Sequence, residues 1–226
     1  MTPARVIDTQ RLSTLAHEYE REIQQFFQDL LAIPSENGSA GAAIRRILKE
    51  LEKAPFEGIQ IDSQGLLTRI GAGKNTMLLH AQGAAGTVAA VSAGRLIHEL
   101  GMYDDFILWV SASQSRGQAL RDLHPDCMVL AEPTNLCIQM REAPVEGFLN
   151  ESHPLVQAAI ATYETLFELP PIISQAPSPL GPTGVPAIAF GAGGDGAEVA
   201  SIRHLLKAAQ FYAAFPTTYV EEMRRR

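Results

Sequence analysis

Met77-Leu78-Leu79-His80, Phe106-Ile107-Leu108-Trp109-Val110 and Cys127-Met128-Val129-Leu130 are three apolar runs inside residues 76–134, and their reading decides the fold. Each is short and lies between turn residues or a helical pattern, as buried strands do. Between the first two, residues 86–100 place Val88, Val91, Leu96, Ile97 and Leu100 among alanines. That spacing predicts a helix lying on a sheet, with small residues that allow close approach. Strand, helix, strand, strand predicts an α/β core with parallel neighbours, because parallel strands need a crossover connection. The expected fold class is a three-layer α/β/α sandwich with a mainly parallel mixed sheet, centred on Leu78, Ile107 and Val129. In such sheets ligands gather beyond the carboxyl ends of strands. His80, and Glu132 in the loop Ala131-Glu132-Pro133-Thr134, are therefore the first candidates for a site.

Upstream, residues 10–32 show a helical period, with Ile23, Phe26, Phe27, Leu30 and Leu31 on one face and Pro34 ending the run. A loop follows at residues 35–39, with a serine placed to cap the next helix, whose stripe is Ile44, Ile47, Leu48 and Leu51. Ile59-Gln60-Ile61 and Leu66-Leu67-Thr68-Arg69-Ile70 read as strands joined across Asp62-Ser63-Gln64-Gly65. Gly71-Ala72-Gly73-Lys74 resembles part of a phosphate loop, but a strand follows where a helix is needed, so it reads as a turn.

Downstream, residues 117–123 suit a short helix and residues 141–152 an irregular link. Pro154 opens a helix whose face holds Leu155, Val156, Ala159, Ile160, Tyr163, Leu166 and Phe167. Residues 174–184, rich in proline, read as an extended surface loop, and residues 185–190 as a last short strand. The glycine loop at residues 191–196 reads as a turn, although free amides before a helix are also the chemistry of an anion site. The closing helix holds Val199, Ile202, Leu205, Leu206, Ala209 and Tyr212.

The totals bound the function. With 226 residues, one domain spanning 1–226 is expected. A net charge of −7 argues against a general nucleic-acid binder, and Arg224-Arg225-Arg226 reads as a solvated end. No apolar run approaches the roughly 20 residues that span a bilayer, so no membrane role is expected. Cys127 and Cys137 give no reason for pairing, no leader pattern is read, and a cytoplasmic, reduced protein is the expectation.

Several landmarks together resemble a known family. They are Phe27-Gln28-Asp29-Leu30-Leu31-Ala32-Ile33-Pro34-Ser35-Glu36-Asn37-Gly38, Ile61-Asp62 with Gly65, the strand ending in His80, Ala131-Glu132-Pro133-Thr134-Asn135-Leu136, and Gly184-Val185-Pro186-Ala187-Ile188-Ala189-Phe190-Gly191. In this order they resemble the di-zinc aminoacylase and carboxypeptidase family, which includes acetylornithine deacetylase and succinyl-diaminopimelate desuccinylase. The selenium-metabolism hydrolase branch is the most similar in flavour. The resemblance implies a zinc-exopeptidase fold, two zinc ions held by His and carboxylates, a Glu base and a lid domain.

It also implies where the chemistry has been lost. His80 keeps the first ligand position, but Gln82 stands where an Asp should orient it. Gly83 opens the helix where a bridging Asp is needed, and Ser113 and Gln114 lie where the family has a Glu-Glu pair. Glu132 keeps its carboxylate, whereas Ala197 lies where the last His ligand belongs. His204 reads as a surface residue, and His98, His124 and His153 as isolated. Ser111, Ser113 and Ser115 read as loop residues with no marked base. The lid is missing, with only residues 141–152 in its place.

The expectation is a non-catalytic binding or structural subunit without a cofactor. The alternative is a metallohydrolase, deacylase or dipeptidase in type, with zinc in a rebuilt or mononuclear site on His80 and Glu132. A missing lid further predicts that residues 82–86, 111–115 and 132–135 face solvent. Pro144, Val145, Phe148 and Leu149 would add an apolar patch for self-association or a protein partner.

Overall fold

The computed structural model describes residues 7–34, 40–62, 65–103, 105–113, 123–143, 147–177, 184–194 and 200–226, with backbone alone at residues 40, 113, 142, 143, 147 and 148. Along the chain run α1 (Thr9–Glu18), α2 (Glu20–Leu31), α3 (Ala40–Leu51), β1 (Glu57–Ile61), β2 (Gly65–Ile70), β3 (Asn75–Ala81), α4 (Gly83–Glu99), β4 (Phe106–Ser113) and β5 (Cys127–Ala131). Then follow β6 (Ile138–Met140), β7 (Glu142–Ala143), β8 (Gly147–Phe148), α5 (Pro154–Phe167), β9 (Ile173–Gln175), β10 (Ala187–Ala189) and α6 (Ile202–Arg224).

The three apolar runs pair as expected. β3 lies between β4 and β5, parallel to both, with Leu78 opposite Trp109 and Met128, and His80 opposite Ser111 and Leu130. The full sheet has eight strands in the order β1-β2-β4-β3-β5-β10-β6-β9. β2 runs antiparallel to β4 and β1 antiparallel to β2, while β10 is parallel to β5 and antiparallel to β6. The protein is thus an α/β fold on a mainly parallel mixed sheet.

Because successive strand residues point to opposite faces, the sheet sorts its side chains into two sets. Met77, Leu79, Leu108, Val110, Cys127, Val129 and Ile188 share one core with the buried faces of α1 to α6. Leu78, Met128, Leu130, Ala187 and Ala189 form a second, smaller cluster on the opposite face, joined by Leu67, Trp109, Leu123 and Val185. His80 belongs to the second set by its register, which places it away from the helices and beside the carboxyl ends of the strands.

α4 shows why its sequence is rich in small residues. A Cβ on Gly86 would stand 2.2 Å from the Ala131 carbonyl oxygen, and one on Gly94 would stand 2.0 Å from the Phe56 ring. The helix therefore lies directly over the end of β5. α6 is capped by the Ser201 hydroxyl, which accepts from the His204 amide, and extends well beyond Tyr212 to Arg224. It holds an aromatic column: Phe211 stacks 4.0 Å from Phe190, Phe215 5.7 Å from Phe211, and Tyr219 6.0 Å from Phe215.

Elsewhere the sequence reading needs correction. The run 10–32 is two helices, broken at Tyr19, whose ring lies 3.5 Å beneath the Arg95 guanidinium of α4. The segment read as a loop from residue 174 begins within β9, and the irregular link holds the short antiparallel pair of β7 and β8. β10 is shorter than expected because Pro186 has no N–H to give, although its carbonyl still accepts from Met128. Arg224 is no free end, since it pairs with Asp105 at 2.7 Å. The capping loop at 35–39 and most of the short helix at 117–123 lie outside the described residues.

Candidate functional site at the carboxyl ends of the strands

The site is built where β3, β4, β5 and β10 end side by side. β3 delivers His80, which is 4% exposed, and the neighbouring β4 delivers Ser111, which is 2% exposed. His80 Nδ1 lies 3.3 Å from Ser111 Oγ, and the Gln82 amide nitrogen lies 3.5 Å from His80 Nε2. A ring protonated at Nδ1 satisfies both contacts, donating to the serine hydroxyl and accepting the amide N–H at Nε2. Gln82 is also the N-cap residue of α4 but makes no side-chain cap, since its amide is turned toward His80. Gly83 then takes a φ of 66°, which a residue without Cβ adopts at little cost.

β5 delivers Glu132, 9% exposed, into contact with a residue the sequence did not single out. Arg141 Nη2 donates to Glu132 Oε2 at 2.5 Å, and Arg141 Nη1 donates to the Pro177 carbonyl at 2.8 Å. Arg141 is 7% exposed and follows β6 directly, its amide donating to Ala187 of β10. Glu132 Oε1 and Arg141 Nε are buried with no hydrogen-bond partner among the described residues.

The loop after Glu132 is fixed by a hydrogen-bonded staple. Thr134 Oγ1 donates to the Cys137 carbonyl at 2.8 Å and accepts the Gly191 amide at 3.0 Å. The Leu136 and Asn135 amides donate to the carbonyls of Gly191 and Gly193, and both residues take positive φ to make the turn. Tyr212 donates its hydroxyl to the Phe190 carbonyl just behind this turn. Burial, and then the nearby Glu132 charge, push the Tyr212 phenol far above its usual range, so it stays a neutral donor.

His80 and Glu132 therefore stand at the ends of adjacent strands, with Gln82 and Gly83 beginning α4 beside them. Ser113 ends β4 opposite Gly65, and Gln114, Ser115 and Ala197 lie outside the described residues. Ser111 is a strand residue in contact with His80, not a loop residue, and its burial keeps the hydroxyl from a substrate. His153 is not isolated: its Nδ1 accepts the Leu155 amide and caps α5.

The expectation of open loops also fails in part. Ser111, Glu132, Thr134 and Gly86 are buried, and Gly83, Pro133 and Asn135 are the exposed positions. Leu149 is buried rather than part of a surface patch, while Pro144 and Val145 lie outside the described residues.

No protein-family model matches the chain. The uncharacterized protein YgeY of Escherichia coli strain K12 is 24% identical over 164 residues, covering 53% of this chain and 41% of that protein. The chain thus spans well under half the length of that curated relative. Among solved structures, the di-peptidase Dug1p from Saccharomyces cerevisiae matches with a TM-score of 0.73 and 8% identity, over 95% of this chain and 99% of that one. Bacillus subtilis YxeP, a dinuclear metal binding peptidase from the M20 family, matches at 0.67 with 10% identity, over 91% and 99% of the two chains. The fold is that of the zinc exopeptidases.

Zinc takes about four His, Cys or carboxylate ligands. The described residues do not fit a pair of such ions. Glu132 faces a guanidinium, His80 has a hydroxyl and an amide at its two ring nitrogens, and no group of three or more His, Cys, Asp or Glu among the described residues could hold a metal ion. No helix among the described residues is long and apolar enough to cross a membrane.

Proposed function

We propose that this chain is a lidless, degenerate relative of the di-zinc aminoacylase and carboxypeptidase family, acetylornithine deacetylase and succinyl-diaminopimelate desuccinylase included, that no longer hydrolyses amide bonds. On this reading it is a single domain over residues 1–226, with the lid absent at about 141–152, that acts as a binding or structural subunit. The observation that supports it most is the Glu132–Arg141 pair. A carboxylate at a position the resemblance assigns to a metal ligand is instead neutralised by the chain's own cation. Gln82 beside His80, in place of an orienting carboxylate, points the same way.

Its partner is a second copy or another protein, neither nucleic acid nor membrane, in a cytoplasmic setting. Exposed Leu169 and Ile172, which lead into the edge strand β9, support association. The second reading, a metallohydrolase with a mononuclear zinc on His80 and Glu132, is favoured by the metallopeptidases that share the fold. Assay of the purified chain against dipeptides and N-acyl amino acids, with zinc or cobalt added, separates the two. Turnover that is lost in both His80→Ala and Glu132→Ala would sink the non-catalytic reading. Sedimentation of a dilution series tests association, and a strict monomer that captures no partner counts against it.

A further inference from the structure

We infer that Arg141 is the resident counter-cation of Glu132, filling the electrostatic role of a divalent metal and thereby closing the carboxylate to one. This deepens the proposed function and rests on its placing of Glu132 at a metal-ligand position: it assigns Arg141 the role of the missing cation, and it is tested by stability and not by hydrolysis or association. Three observations support it. The two side chains bury each other, with about a tenth or less of either exposed, and meet at 2.5 Å. The guanidinium is held from behind by the Pro177 carbonyl at 2.8 Å, so it is fixed in place and not a passing surface cation. Its backbone is tied on both sides, the amide donating to Ala187 and the carbonyl accepting from Leu149.

The pair is also incompletely satisfied, since Glu132 Oε1 and Arg141 Nε have no hydrogen-bond partner among the described residues. A buried pair of this quality adds little net stability over an apolar replacement, but removing one member leaves an uncompensated charge in a dry site. The role is therefore charge compensation, and charge compensation is what a metal would supply.

The test uses the whole chain, with thermal unfolding as the first readout and zinc chloride alone as the probe. Arg141→Met is expected to lower Tm by on the order of 10 °C. The double variant Arg141→Met with Glu132→Gln should recover most of that loss. Zinc should leave the Tm of the native chain and of the double variant unmoved. Should Arg141→Met fail to fold, Arg141→Lys keeps the charge without the fork and should bind no zinc. An Arg141→Met chain as stable as the native one, or a double variant no better than the single, would each overturn the inference. So would tight zinc binding by the native chain that Glu132→Gln abolishes.

Discussion

A Cβ added at Gly191 would stand 2.3 Å from the Glu132 carbonyl oxygen. The chain leaving β10 thus presses against the residue that follows β5, and the Gly191 amide on Thr134 Oγ1 holds it there.

Gly191→Ala should therefore destabilise the protein by about 1–3 kcal/mol, since backbone must shift to admit one methyl group in a packed turn. Urea unfolding measures it, and an unchanged midpoint would show that this turn is free to move.

Glu22 of α2 accepts from Lys53, in the turn after α3, at 2.6 Å and from Arg95 of α4 at 2.8 Å. Its hydrogen bonds to Lys53 and then Arg95 hold its carboxyl below the ordinary carboxylate range. The unfolded chain therefore binds the proton first as pH falls, so the stabilisation is complete above the ordinary value and is lost as pH drops through the folded one. Because Glu22 is nearly half exposed the effect is small, and Glu22→Gln should lower the neutral plateau of a stability profile slightly and converge with the native chain at low pH, flattening the acid limb. An acid limb identical in the variant would refute this.

Phe211 is fully buried between Phe190 and Phe215. Phe211→Ala should cost about 3–5 kcal/mol and Phe211→Leu distinctly less, because a leucine refills most of the cavity. Equal losses in the two variants would mean that the aromatic stacking, and not the volume, stabilises the column.

Elemental analysis of the dialysed native chain should find fewer than two zinc equivalents, given a Glu132 already neutralised by Arg141. Two retained equivalents would require ligands other than the described ones.

The central fold was readable because β3, β4 and β5 are continuous apolar runs and α4 repeats its small residues at helical spacing. His80 and Glu132 were readable for a related reason, since each follows such a run directly. Ser111 was not, because Ser111-Ala112-Ser113 has no strand-like composition; β4 extends that far because β3 pairs His80 with Ser111 and Ala81 with Ala112 on one side, while β2 pairs Leu67, Leu66 and Gly65 with Ser111, Ala112 and Ser113 on the other. Arg141 was hidden more deeply. β6 is three residues long, too short to show a period, and β10, arriving some fifty residues later, sets the strand before Arg141 beside the sheet that carries Glu132.

That late insertion has a consequence for the order of assembly. β10 is the sole bridge between β5 and the outer pair of β6 and β9 in the strand order, yet it is the last strand to be made. A nascent chain that has emerged only to β9 holds two separate sheet fragments with Glu132 on one and Arg141 on the other. β5 and β6 are themselves joined by residues 132–137 alone, but the strand that must enter between them comes only at residues 187–189, and closing that longer loop is an entropic step that local contacts cannot supply. The strands that carry the carboxylate and its guanidinium are thus locked at their final spacing only when residues 187–189 slot between them, which makes that spacing a late mark of a completed sheet.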